Sequence, residues 1–125
     1  MIETNDEKIP YMVSAPTMRI PQNISGTLNA YLAFRGALRA VKQFNLNSRR
    51  PIQMLLCPGL GTAVGRMPHR IAAQQMQVAY MVVVRERRDY FDRAFKVLYN
   101  HAALIRGERI WSDGPGPEEW QKETE

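Results

Sequence analysis

The spacing of apolar and polar positions predicts a strand and then a helix in the first third of the chain. Residues 11–15 form a short run of strand formers, closed by Pro16. The hydroxyl side chains of Ser25 and Thr27 can cap a helix, and apolar residues recur after them at helical spacing. This helix is predicted to end near Gln43. The apolar positions that define it are Leu28, Tyr31, Leu32, Leu38 and Val41.

A second strand is predicted at residues 52–57, after the polar connection of residues 45–51. Its nearly continuous apolar character is typical of a strand that is buried on both faces, as in a parallel sheet covered by helices. The order strand, helix, strand then indicates one right-handed crossover unit. The sequence therefore predicts an α/β fold, with Cys57 as a small buried core residue.

Two further helices and a tail are predicted in the second half of the chain. Pro68 fits the first turn of a helix that runs to Val83, and a third helix is expected over about residues 85–105. From Gly107 onward the chain is rich in Gly, Pro and acidic residues, so we expect a domain over residues 1–106 and a flexible acidic tail over 107–125. The predicted apolar faces consist of Ala72, Met76, Ala79, Tyr80 and Val83 in the first of these helices and of Phe91, Ala94, Phe95, Leu98, Ala102 and Ile105 in the second.

Charge is distributed unevenly along the 125 residues. Residues 9–84 contain no Asp or Glu, and residues 11–109 hold 15 Lys or Arg against four Asp or Glu. A body of this sign attracts phosphates, nucleotides or nucleic acid. The single cysteine excludes a disulfide framework, and the sequence gives no zinc-binding pattern. No apolar run is long enough to span a bilayer, and the acidic N-terminus is unlike a secretory signal, so we expect a cytoplasmic protein without membrane association.

A glycine-rich segment at residues 58–68 directly follows the predicted second strand and leads into the next helix. Glycines allow the backbone to approach an anion closely, so that successive N–H groups can point at a phosphate near a helix N-terminus. Thr62 adds a hydroxyl donor and Arg66 a cation. The spacing matches neither the P-loop pattern nor the GxGxxG pattern. The alternative is a strand-to-helix turn that binds nothing.

Three segments in a fixed order together resemble the macro domain, the ADP-ribose-binding module, in its bacterial or phage branch. They are residues 13–19, the helix start with Asn29, Ala30 and Tyr31, and residues 56–65. The resemblance covers about residues 9–83 and corresponds to the second half of the family's three-layer α/β/α sandwich. It implies that residues 59–65 wrap the diphosphate and distal ribose of ADP-ribose through backbone amides, with residues 15–20 beside the same cleft. The implied site residues are Ala15, Pro16, Thr17, Gly59, Leu60, Gly61, Thr62, Ala63, Val64, Gly65 and Arg66.

The chain departs from the macro-domain pattern in the glycine-rich loop and in the N-terminal half of the fold. Ala63 stands where many macro domains have glycine, and Gly65 stands where many have an aromatic residue against the ribose. The family's first half supplies the early strands, the acidic residue that recognises adenine and a catalytic Asn and Gly-rich segment, and it has no counterpart here. We therefore expect a truncated macro-like domain, completed by a second copy in a homo-oligomer or by another chain.

Few residues of the candidate cleft can support catalysis. Hydrolysis needs a general base or a nucleophile, and the acid-free stretch leaves only His69 and Cys57. We therefore expect binding of ADP-ribose or a related nucleotide without catalytic residues, cofactor or metal. Two alternatives stay open: an assembly protein on a degenerate macro fold, and an ADP-ribosyl hydrolase or ADP-ribose-phosphate phosphatase completed by another chain. Nucleic acid is a further candidate partner of the basic surface.

Overall fold

Three helices and one two-stranded sheet form the regular structure of the described residues in the computed structural model. The described residues are 1–87, 90 and 94–111, so most of the predicted tail lies outside them. The elements are β1 (Ile2–Glu3), β2 (Tyr11–Met12), α1 (Asn29–Leu46), α2 (His69–Val83) and α3 (Ala94–Arg106). The chain is thus a small mixed helix and strand protein. None of the helices in this part of the chain is both long and apolar enough to cross a bilayer.

The strands β1 and β2 form an antiparallel hairpin, in which Ile2 pairs with Met12 and Glu3 pairs with Tyr11. The Tyr11 ring packs on Phe44 of α1 with 4.7 Å between the ring centroids. The strand predicted at residues 11–15 is therefore confirmed only at its first two residues. The prediction of a parallel sheet is wrong for the described residues, because the partner of β2 is the antiparallel β1.

The prediction of a buried strand at residues 52–57 is wrong. Residues 51–59 contain no strand, turn or bend, and residues 53–57 are exposed. Met54 and Leu56 are 77% and 79% exposed, and Cys57 is exposed rather than buried. An apolar strand is buried only where neighbouring strands and covering layers surround it, and the described residues supply neither at this segment. The crossover unit that this strand would have closed is therefore not formed in the described part of the chain.

The predicted first helix is confirmed as α1, and a side chain of α2 fixes its start. The Thr27 hydroxyl accepts a hydrogen bond from the Asn29 N–H at 3.2 Å. The fully buried Gln75 of α2 accepts a hydrogen bond from the Tyr31 N–H at 3.1 Å and donates one to the Thr27 carbonyl at 2.7 Å. The first bond pairs an N–H that a helix start leaves without an intrahelical partner, and the second pairs a carbonyl just before the helix. Gln75 therefore acts as a cap supplied by the neighbouring helix.

The predicted second helix is confirmed as α2, and its predicted apolar face is only partly correct. Pro68 stands directly before the first helical residue, with φ −56°, a value that proline favours. Tyr80 is 42% exposed, whereas Gln74 and Gln75 are buried without having been predicted. Of the other predicted positions, Ala72, Ala79 and Val83 are buried and Met76 is half-buried.

The third helix begins at Ala94 rather than near residue 85. Glu86 has a φ of 55°, and this left-handed conformation interrupts helical continuation after α2. Leu98, which was predicted to face the core, is 72% exposed, and Ala103 and Leu104 are buried instead. Ala102 and Ile105 are half-buried. The predicted core positions Phe91, Ala94 and Phe95 lie outside the residues whose side chains are described.

Aromatic rings from three parts of the chain stack in the core. Tyr31 of α1 and Tyr90 lie parallel with 5.7 Å between their centroids. His101 of α3 packs against both rings, at 6.0 Å from Tyr31 and 5.5 Å from Tyr90. These contacts attach α3 to the pair formed by α1 and α2.

Folding stability should fall in mild acid because the folded chain resists protonation of His101. Burial, and then the positive charge of Arg35, lowers the pKa of His101 below 6.5. The unfolded chain therefore binds this proton at a higher pH, and stability decreases as the pH falls from 6.5 to the lower folded pKa. Urea unfolding midpoints should be measured at a pH above this window and at a pH below it. The decrease of the midpoint between the two pH values should be smaller for His101→Phe than for the wild type. An equal loss would contradict this role of His101.

Candidate functional site

The glycine-rich segment forms a tight loop before α2. Gly61 and Arg66 have φ values of 75° and 56°, so both residues are in the left-handed region that favours glycine. The Met67 N–H donates to the Gly61 carbonyl at 2.9 Å, and the Arg66 N–H donates to the Ala63 carbonyl at 3.0 Å. These two bonds close the loop on itself.

Ile24 supports the loop from the core side. Its N–H donates to the Gly65 carbonyl at 2.8 Å, and its side chain is only 1% exposed and packs in a cluster with Met67. A Cβ added at Gly61 would lie 2.8 Å from Cδ1 of Ile24, and a Cβ added at Gly65 would lie 2.6 Å from the Gly61 carbonyl oxygen. Both glycines are therefore required by close packing.

A cavity of about 340 Å³ lies between this loop and residues 17–21. Among the described residues, the backbone N–H groups of residues 59–65 donate no hydrogen bond of good geometry, and all of these residues except Leu60 line the cavity. Unpaired N–H groups grouped around a concave surface are an arrangement that binds anions. The lining residues are Thr17, Met18, Pro21, Gly59, Gly61, Thr62, Ala63, Val64 and Gly65.

Asn29, the first residue of α1, binds the second loop at the cavity, which consists of residues 17–21. Its side-chain amide donates to the Thr17 carbonyl at 2.6 Å. The N–H of Asn29 itself donates to the Thr27 hydroxyl at 3.2 Å. The start of α1 thereby fixes residue 17 opposite the glycine-rich loop.

Most of the predicted site residues border this cavity. Leu60 packs instead into the apolar cluster beneath the loop, and Arg66 is exposed outside the cavity. Ala15 and Pro16 do not line the cavity either. Met18 and Pro21 line it without having been predicted, since neither side chain carries chemistry that a sequence pattern can single out. The predicted residues that line the cavity are Thr17, Gly59, Gly61, Thr62, Ala63, Val64 and Gly65.

Cys57 and His69, the candidates for a nucleophile or a general base, lie outside the cavity. Although Cys57 is exposed at the surface, neighbouring protein atoms partly desolvate its thiol and raise the pKa, so the thiol form dominates at neutral pH and is a weak nucleophile. His69 is the exposed first residue of α2. Neither loop around the cavity contains a carboxylate. Across the described part of the chain, no group of three or more potential ligands is arranged to hold a metal ion. The two loops that line the cavity therefore supply backbone and hydroxyl donors but no acidic general base.

Comparison of the chain with protein-family models, with curated proteins and with solved structures gave no match. The distinguishing features of the site are unpaired backbone donors, a small cavity and loops without acidic residues.

Proposed function

We propose that this chain binds ADP-ribose or a related nucleotide through residues 59–65, without catalysis of its own. The observation that carries the proposal is the run of unpaired N–H groups, which borders a cavity together with Thr17 and Thr62. Such donors stabilise the charge of a diphosphate. Arg66 and the basic body of the chain attract the ligand over longer distances. ADP-ribose is chosen among phosphates because the loop and its neighbours resemble the macro domain.

The volume of the cavity limits which part of the nucleotide it encloses. A volume of about 340 Å³ is near the lower end of the range for small-molecule sites, about 300–1,000 Å³. In this proposal the cavity holds the diphosphate and the adjoining sugar, and the adenine extends beyond the loop. A second copy or a complementing chain covers the adenine and completes a macro-like α/β/α sandwich.

Thermal unfolding with and without ADP-ribose tests this function. A ligand present at about 100 times its dissociation constant adds about 2.7 kcal/mol to the stability of the folded chain, which raises the Tm by about 10 °C for a domain of this size. Adenosine, which lacks phosphate, is the matched control and should cause no shift. A Tm that is unchanged at saturating ADP-ribose would contradict the proposal.

Val64→Glu should weaken nucleotide binding by at least about tenfold without unfolding the loop. Val64 lines the cavity and is 62% exposed, so the carboxylate adds negative charge beside the diphosphate without crowding the core. Val84→Glu is the control, because Val84 is 45% exposed and follows α2 outside the cavity. Isothermal titration calorimetry should give the wild-type affinity for this control. Equal affinities of the two variants would place the ligand elsewhere.

An assembly protein that binds no nucleotide is the second candidate function. The observation that favours it is the exposed apolar segment at residues 52–57, because apolar residues grouped on a surface mark interaction sites. This candidate predicts a stable multimer whose Tm does not respond to ADP-ribose. The response of the Tm to ADP-ribose separates the two candidates, and light scattering on the same samples gives the mass of the assembly.

A further inference from the structure

Residues 52–57 form an apolar segment whose backbone is open to a further strand. Met54 and Leu56 are 77% and 79% exposed, and residues 51–59 contain no turn or bend. Within the described part of the chain, the backbone groups of residues 53–57 make no hydrogen bond. A straight segment with unpaired N–H and C=O groups is a template for pairing with another chain.

Asn45 of α1 determines which edge of the segment is open. Its side-chain amide accepts a hydrogen bond from the Ile52 N–H at 2.7 Å and donates one to the Ile52 carbonyl at 3.0 Å. In an extended chain the N–H and C=O of one residue point to one edge, and those of the next residue point to the other. The edge of Ile52 therefore faces α1. The same alternation in an extended segment assigns the backbone groups of Gln53, Leu55 and Cys57 to the outer edge.

We propose that two copies of this chain pair along this outer edge as antiparallel strands centred on Leu55. In this register Leu55 faces Leu55 of the second copy, and Gln53 faces Cys57, in each case as a hydrogen-bonded pair. All three residues have the N–H that the ladder needs. Pro51 would be the next donor on this edge and has no N–H, so the ladder ends there. Pro58 belongs to the opposite edge, where its missing N–H has no effect on this pairing.

The side chains and charges of the segment favour a second copy as the partner. Met54 of each copy lies opposite Leu56 of the other copy, so exposed apolar side chains cover one another on one face. No charged residue occurs between Arg50 and Arg66. The segment is therefore a surface on which two basic chains can meet without placing like charges opposite each other, since Arg50 would stand opposite Leu60. This pairing does not depend on nucleotide binding.

Met54→Lys is expected to raise the dissociation constant of the dimer by at least about tenfold, because each lysine would face Leu56 of the other copy. Leu98→Lys is the matched control, since Leu98 is 72% exposed on α3 and lies outside the proposed interface. Sedimentation equilibrium of the full chain should give a dimer for the wild type and for this control. A monomeric wild type would overturn the proposal and leave the segment to a different partner. A dimer that Met54→Lys weakens no more than Leu98→Lys would also overturn it.

Disulfide formation between two variants tests the register itself. Met54→Cys and Leu56→Cys, each combined with Cys57→Ser, should crosslink when they are mixed, because opposed residues of a non-hydrogen-bonded pair have Cα atoms about 4.5 Å apart, within the disulfide range of about 4.4–6.8 Å. Either variant alone should crosslink far less, since positions offset by two residues lie about 7–8 Å apart. Crosslinking in the mixture that is no greater than in either variant alone would overturn the proposal.

Discussion

Gly65→Ala is expected to lower the free energy of unfolding by about 2–3 kcal/mol. The added Cβ would lie 2.6 Å from the Gly61 carbonyl oxygen and 2.7 Å from Cγ1 of Ile24. The same carbonyl accepts the hydrogen bond of the Met67 N–H, and Ile24 is fully enclosed by the core. The loop therefore cannot yield without losing a hydrogen bond or displacing a buried side chain. Urea unfolding followed by circular dichroism measures the effect.

Gly36→Ala is the control, and the same chemical change should there have the opposite effect. Gly36 lies inside α1, and no atom lies within 4 Å of a Cβ added to it. Alanine favours the helix over glycine, so this variant should be more stable than the wild type by about 0.5–1 kcal/mol. Equal stability changes in the two variants would contradict the close packing of Gly65 on Ile24.

Gln75→Leu is expected to lower the free energy of unfolding by about 2–4 kcal/mol, because it leaves two backbone groups without partners. These groups are the Tyr31 N–H and the Thr27 carbonyl at the start of α1, which the Gln75 amide bridges at 3.1 and 2.7 Å. The substitution places an apolar side chain of similar size at the same buried position between the helices. The measured loss therefore reports the missing hydrogen bonds rather than a cavity.

Gln77→Leu on the same helix provides the comparison for Gln75→Leu. Gln77 is half-buried, and this change should alter the free energy of unfolding by less than about 1 kcal/mol. A loss for Gln75→Leu no larger than that for Gln77→Leu would show that the bridge to α1 contributes little to stability.

The helices α1 and α2 can be predicted from the sequence because their signals are local. Apolar residues at a spacing near 3.6 mark both helices, although two of the predicted positions, Leu32 and Tyr80, are 50% and 42% exposed. Pro68 marks the start of α2. The cap provided by Gln75 is 44 residues away from Tyr31 along the chain. No local pattern reveals a contact of that kind. Glutamine is mostly found at exposed positions, so the sequence does not predict that Gln75 is buried.

Residues 52–57 show why an apolar run does not by itself predict a buried strand. The run contains strand-forming residues, but burial also requires neighbouring strands and covering layers. These partners are set by the rest of the fold and not by the run itself. In the described part of the chain the backbone of this segment is hydrogen-bonded only at Ile52, by Asn45.

The position of the candidate site follows from its glycines, whereas its geometry does not. The cluster of glycines before Pro68 predicts a loop that can approach an anion. The support by Ile24 and the tie between Asn29 and Thr17 depend on contacts across the fold. Arg66 was expected to contribute a cation at the site. It has a left-handed backbone conformation at the end of the loop, and it does not line the cavity.

Backbone amide chemical shifts recorded during a titration with ADP-ribose would decide whether the loop binds the nucleotide. The proposed ligand groups are the N–H groups of residues 59–65, so their resonances should move with ligand concentration and reach saturation. The resonances of α3, which does not border the cavity, should stay in place. Unchanged resonances of residues 59–65 at saturating ADP-ribose, or changes confined to another surface, would contradict binding at this loop.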